Sequence, residues 1–256
     1  MNSTRWADEW ERFGQHDPYF GVCNLDQNRG VALSADASVA FWASGASDVA
    51  AIAVQIEELS GQAFAPQRAL EFGCGVGRLT IPLAQRAREV VAVDIAPSMI
   101  ERAREHTAAA GLNNVHFALS DASLSRVEGR FDFVYSFIVF QHIPPNIGYD
   151  LFRQLLGKLA PDGFGALHVT YGRRASLVRR IVHAGRRKWR MANMIVNVLQ
   201  GRSARTPMMP MFEYDRRVLL QLLDAANCGH PREQATDHGG HLGAMLMFHK
   251  GAGRHS

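Results

Sequence analysis

Three glycines at alternate positions, Gly73, Gly75 and Gly77, follow directly on a short, mostly apolar run from Ala69 to Phe72 and lead into Arg78, Leu79 and Thr80. This spacing reads as a buried strand, a tight turn and a helix start. Without side chains the backbone can bend sharply there and approach a ligand closely. Glu71 stands near the end of the strand, where a carboxylate suits a cationic or hydroxylated ligand and repels a phosphate. Seventeen residues after Gly77, a second apolar run, Val90 to Val93, ends in Asp94. An acid at about that offset in a βαβ unit accepts hydrogen bonds from ribose hydroxyls.

Three other readings of the turn compete. The dinucleotide fingerprint needs Gly-x-Gly-x-x-Gly, but its third place holds Arg78. A phosphate loop needs Gly-Lys-Ser/Thr, which the stretch lacks. The third is a βα turn that binds nothing. The pattern Glu71-x-Gly73-x-Gly75-x-Gly77 followed by strand and Asp94 resembles motifs I and II of class I S-adenosylmethionine-dependent methyltransferases. The resemblance implies a doubly wound α/β fold with a seven-stranded, mostly parallel sheet and S-adenosyl-L-methionine as cofactor. It places the three glycines against the methionine part, with Glu71 and Cys74 beside them, and Asp94 on the ribose, with Ile95 and Met99 adjoining. The acid after the third strand, Asp121, falls to the adenine amine and Ala122 to the ring; the bland alternative for Asp121 is a turn-former or helix cap.

Residues 1–62 precede this core. Trp6, Trp10 and Phe13 recur at helical spacing. A helix is expected from about Asp48 to Leu59, capped by Ser47. The stretch Asp17-Pro18-Tyr19-Phe20 resembles the helical cap that many class I methyltransferases carry, which nominates Tyr19, Phe20 and Trp42 as substrate-pocket residues. Trp6 and Trp10 read as packing.

Residues 63–171 alternate strand and helix, as a parallel sheet covered on both faces requires. Strands are expected at Val115–Leu119 and Phe131–Ser136, and again at Ala166–Val169, with helices from Pro97 to Gly111 and from Leu151 to Leu159. The fourth strand and the loop after it, Phe-Asp-x-Val-x-Ser followed by Gln-His-Ile, show a pattern typical of the same family, which implies that Ser136, Phe137, Gln141 and His142 line the reaction centre. Methyl transfer from a sulfonium is a direct displacement, so the protein aligns the groups and excludes water. A hydroxyl acceptor is helped by a base, for which His142, His238 and His241 compete; an amine needs none.

Residues 213–256 close the sheet, with a helix from Tyr214 to Cys228 and strands at Arg232–Thr236 and Leu242–Lys250. The hairpin between them, Asp237 to His241, is expected as a polar tip on the ligand side, where His238 can contact substrate.

Charge is distributed unevenly. From Gly163 to Phe212 there are ten Arg and Lys and no Asp or Glu, so one segment makes the chain basic. This helical insertion, residues 172–212, admits four uses: a lid over an anionic or carrier-linked small substrate, a peripheral membrane contact, a homodimer contact, or a nucleic-acid grip. Against nucleic acid stand the missing Asn/Asp-Pro-Pro-Tyr/Phe motif and the lack of a second RNA-binding module. Three cysteines form no framework and no metal-like spacing, so no metal is expected. The absence of a signal-like start or a bilayer-length apolar run points to a cytoplasmic chain.

Overall fold

The computed structural model describes residues 3–174 and 209–252. Seven strands form one sheet: β1 (Arg68–Phe72), β2 (Glu89–Asp94), β3 (Val115–Leu119), β4 (Phe131–Ser136), β5 (Leu159–Arg173), β6 (Arg232–His238) and β7 (His241–His249). Their order is β3-β2-β1-β4-β5-β7-β6. Neighbours from β3 to β5 run parallel, and β7 inserts antiparallel between β5 and β6. Sequential strands spread outwards in both directions from β1 and β4, which makes a crevice beyond the carboxyl ends of these two strands.

Strict alternation along the strands builds a core on each face. On β7, Ala244, Leu246 and Phe248 join one cluster while Met245 and Met247 join the other. The first cluster takes Leu151, Phe152 and Leu155 from α6 (Pro145–Lys158), with Leu219 and Leu223 from α7 (Arg216–Ala225). The second takes Val49, Ile52 and Ile56 from α3 (Ala35–Ser60) and Leu83 from α4 (Thr80–Ala84). A third cluster joins the N-terminal cap to α5 (Pro97–Ala109) and the loops that follow β1 and β2. It holds Phe13 of α1 (Ser3–His16), Tyr19 and Phe20 of α2 (Pro18–Val22), and Met99 of α5. Helix α1 is pinned to α5 where the Glu11 carboxylate accepts from Ser98 N–H at 3.1 Å and from Ser98 Oγ at 3.0 Å, and again where Arg102 Nε donates to Gly14 O at 3.2 Å.

Several boundaries differ from those read in the sequence. Helix α3 starts at Ala35 with Ser34 as its cap, well before Asp48, because Gly45 sits inside the helix against Arg78 and does not break it. By composition and length α3 could cross a membrane, contrary to the sequence reading; its Phe41, Val49, Ile52 and Ile56 nevertheless pack into the core. Helix α6 begins at Pro145, where proline suits a first turn. The hairpin tip is tighter than expected: His238 pairs with His241, leaving Gly239 and Gly240 to make the turn. Their φ values of 64° and 88° suit the left-handed geometry of a two-residue hairpin. The basic insertion falls largely on residues 175–208, outside the described residues, so the four uses considered for it have no structural counterpart here.

Candidate cofactor and acceptor site

The chain turns off β1 by hooking onto β2. Gly73 N–H and Cys74 N–H both donate to Val93 O, at 2.8 and 3.0 Å. Gly75 N–H then donates to Asp94 Oδ2 at 2.9 Å, and Ala96 N–H to Asp94 Oδ1 at 2.9 Å. The carboxylate at the tip of β2 is thus fixed by two backbone donors. Burial nonetheless holds its proton affinity above the ordinary carboxylate range. Gly73 and Gly75 have φ of 82° and 53°, and a Cβ would lie 2.3 Å from Val139 and 2.4 Å from Val22 respectively. Bare backbone is therefore required on grounds of both torsion and space. Gly77 plays a different part, facing Ala103 of α5.

Beyond this turn opens a cavity that is partly open to solvent. Glu71, Gly73, Cys74, Gly75, Asp94, Ile95, Met99, Phe137 and His142, all nominated from the sequence, line it. Glu71 is 2% exposed and its Oε2 has no hydrogen-bond partner. Burial raises its pKa from 4.5 to about 7. Arg78 lines the same cavity with the opposite charge. Its Nη1 is held by Ser44 Oγ at 3.0 Å and by Asp48 Oδ2 at 2.7 Å, while its buried Nε has no partner. Sequence reasoning treated Arg78 only as a departure from the dinucleotide motif, although its place beside the glycine turn was a usable signal.

The opposite wall follows β4. Ile138 adopts φ 59°, a left-handed conformation costly for a β-branched residue, between the lining residues Phe137 and Val139. His142 also lines this wall, but its nitrogens are committed. Nδ1 donates to Pro210 O at 2.8 Å, since a carbonyl can only accept. Nε2 therefore accepts from the Gln141 amide at 3.1 Å, and Gln141 Oε1 in turn accepts from Thr170 Oγ1 at 3.1 Å. Burial lowers the His142 pKa to about 4. A neutral ring with both nitrogens engaged is a poor base. It is better built to anchor residues 210–214, which also bond through Phe212 N to Gln141 O and through Tyr214 N to Thr170 O.

The remaining nominations lie elsewhere. Asp121 spends its carboxylate on its own turn, accepting from the N–H and hydroxyl of both Ser123 and Ser125. Those bonds hold it well below the usual carboxylate range, and its neighbour Ser120 lines the cavity while Asp121 and Ala122 do not. Ser136 is fully buried and donates to Phe72 O at 3.0 Å, behind the lining. Tyr19, Phe20 and Trp42 pack within the cap instead of the cavity. Tyr19 O–H meets His106 Nε2 at 3.1 Å, and the Trp42 ring stands edge-on to the same imidazole. By contrast Trp6 and Trp10, read as packing, do line the cavity, and Trp10 stands edge-on to His142 at 5.1 Å. His238 meets the Phe137 ring at 5.9 Å, and neither it nor His241 lines the cavity. Among the described residues no group of His, Cys, Asp and Glu could hold a metal ion.

Residues 69–163 match the family described as "Methyltransferase domain". Part of the chain is similar to a trans-aconitate 2-methyltransferase of Methylobacterium radiotolerans, 36% identical over 107 residues, covering 41% of this chain and 38% of that one. A 23S rRNA (uracil-C5) methyltransferase of Alkalilimnicola ehrlichii is 45% identical over 62 residues, 24% of this chain and 14% of that one. The chain thus spans well under half the length of these relatives. The fold is shared along nearly its whole length with magnesium protoporphyrin IX methyltransferase from Synechocystis, solved with bound S-adenosylmethionine. That match has a TM-score of 0.63 at 16% identity, covering 97% of this chain and 96% of that one. An N-methyltransferase from Bradyrhizobium japonicum, in complex with S-adenosylhomocysteine, gives a TM-score of 0.59 at 14% identity, covering 96% and 98%.

Proposed function

We propose that this chain, whose fold is that of class I S-adenosylmethionine-dependent methyltransferases and whose residues 69–163 carry a methyltransferase domain, transfers a methyl group to a small molecule. The observation that carries the reading is a carboxylate and a guanidinium in one cavity, each with a buried atom lacking a hydrogen-bond partner: Oε2 of Glu71 and Nε of Arg78, whose Nη1 is already paired with Asp48. Such a pair complements the zwitterionic tail of an amino acid, with ammonium on Glu71 and carboxylate on Arg78. A nicotinamide dinucleotide offers no ammonium, and its pyrophosphate would be repelled by Glu71. Asp94 lies where ribose hydroxyls would donate to it, and Gly73 and Gly75 keep the floor bare.

When bound, the cofactor supplies an activated methyl group on a sulfonium. The chain's own residues contribute position and dryness: Trp6, Trp10, Phe72, Phe137 and Val139 make an apolar wall that excludes water. His142 anchors this wall and is not the base. The acceptor is a hydroxyl, or an amine, of a small molecule. The full-length match to enzymes named for small acceptors supports this reading over RNA, whose enzymes match only over short stretches. Calorimetric titration with S-adenosylhomocysteine and with NAD tests it. Tight binding of the first and none of the second is expected; the reverse would remove the proposal.

A further inference from the structure

Helix α2 reaches the glycine turn through one imidazole. His106, in the last turn of α5, places Nδ1 at 2.9 Å from Val76 O and Nε2 at 3.1 Å from the Tyr19 hydroxyl. A carbonyl only accepts, so Nδ1 carries the proton, and the lone pair on Nε2 of the neutral ring accepts from Tyr19. Val76 O belongs to the same peptide group as Gly77 N–H, which donates to Cys74 O at 3.0 Å. Cys74 O in turn shares its peptide group with Gly75 N–H, the donor to Asp94 Oδ2 at 2.9 Å. Four hydrogen bonds therefore run in one direction, from the phenol of the cap through the imidazole and two peptide groups to the carboxylate at the tip of β2. The cap also packs along this path. Val76 is fully buried in the cap cluster, and a Cβ on Gly75 would lie 2.4 Å from Val22 at the end of α2.

We propose that His106 is a positioning residue for cofactor binding, which orients Asp94 through the two peptide groups of the glycine turn and, through Tyr19, ties that carboxylate to the seating of α2. An amide that accepts at its oxygen becomes a better donor at its nitrogen, so hydrogen bonds aligned in one direction strengthen one another. Tyr19, His106 and Val76 do not line the cavity, whereas Gly75 and Asp94 do, so the effect reaches an occupant only at the end of the chain. That end is the acid assigned to the ribose, and the role therefore rests on the methyltransferase reading. It is separate from the parts of Glu71 and Arg78, which meet the amino-acid tail.

The test uses the full chain, titrated by calorimetry with S-adenosylhomocysteine and with methylthioadenosine, which keeps the ribose and lacks the tail. H106L removes the donor to Val76 O and should weaken both ligands alike, by about tenfold. H106N, whose amide nitrogen can take the place of Nδ1, should recover most of this loss. Y19F keeps the ring and deletes only the phenolic O–H; it should move the Gly75 amide proton resonance of the free protein upfield. Unchanged affinity in H106L, a loss confined to S-adenosylhomocysteine, a loss in H106N as large as in H106L, or a Gly75 resonance unmoved in Y19F overturns the proposal. Should H106L fail to fold, the Gly75 resonance in Y19F decides alone. Failure of the wild type to bind either ligand instead overturns the cofactor reading beneath it, while the Gly75 resonance still reports on the chain.

Discussion

Asp94 Oδ2 accepts the backbone N–H of Gly75 at 2.9 Å across nineteen residues of chain. A side chain read as a ligand contact is therefore also the clasp that shapes the glycine turn, because its other oxygen accepts from Ala96 N–H. Replacing Asp94 with Ala removes the acceptor of both bonds. It should weaken S-adenosylhomocysteine binding by about 1–3 kcal/mol and lower stability by a similar amount. Calorimetry and urea denaturation on one preparation check both; an unchanged affinity would count against the ribose assignment.

Gly73 is constrained twice, by φ 82° and by Val139, which a Cβ would approach to 2.3 Å. Gly73→Ala should destabilise the protein by about 1–3 kcal/mol. The double variant Gly73→Ala/Val139→Ala separates the causes. Recovery of part of the loss measures the clash, and the remainder belongs to the torsion, as read from denaturation midpoints.

Glu71 sets a distinctive pH response. Its folded pKa is raised from 4.5 to about 7, so between these values the native state binds more protons than the unfolded chain. Its contribution is therefore fully present below about pH 4.5 and is lost as pH rises to about 7. Glu71→Gln should gain stability relative to wild type over this interval, by at most about 3 kcal/mol. It should also weaken binding of S-adenosylhomocysteine, whose ammonium loses its counter-charge. Denaturation of both proteins from pH 5 to pH 8 follows the first effect.

His142 has the opposite sense. Its folded pKa is lowered from 6.5 to about 4, so stability is present above 6.5 and lost as pH falls towards 4. His142→Asn should flatten that acid limb while costing about 1–3 kcal/mol near neutrality, since Pro210 O loses its donor. A turnover profile controlled by His142 near pH 6.5 would contradict its role as an anchor.

Arg78 is predicted to discriminate between ligands. Arg78→Gln should weaken S-adenosylhomocysteine by about tenfold and leave methylthioadenosine, which lacks the amino-acid tail, unaffected. Equal losses for both ligands would mean that Arg78 acts only through its clasp on Asp48.

The parts of the site legible in sequence are those whose backbone geometry demands a residue type. Gly73 and Gly75 could be placed because a left-handed torsion beside a close neighbour admits little else, and Asp94 because strand ends carry the ligand face. What stayed hidden depends on contacts distant in sequence. Asp121 is the local exception: serines two and four residues downstream claim its oxygens, as the turn-former alternative for it allows. Neither the helical spacing of Trp10 nor the cap resemblance of Tyr19 could say that Trp10 faces the cavity while Tyr19 turns to His106. Nor could a helix residue such as His106 announce itself, because its meaning comes from Tyr19 and Val76 on other elements.

The first helix touches both banks of the crevice, through Glu11 on Ser98 and Trp10 on His142. Trp6 and Trp10 of the same helix line the cavity, so the seating of that helix sets one side of the space an occupant fills. The hold of Glu11 on Ser98 therefore bears on the shape of the cavity from outside it, through a residue that is not part of the lining.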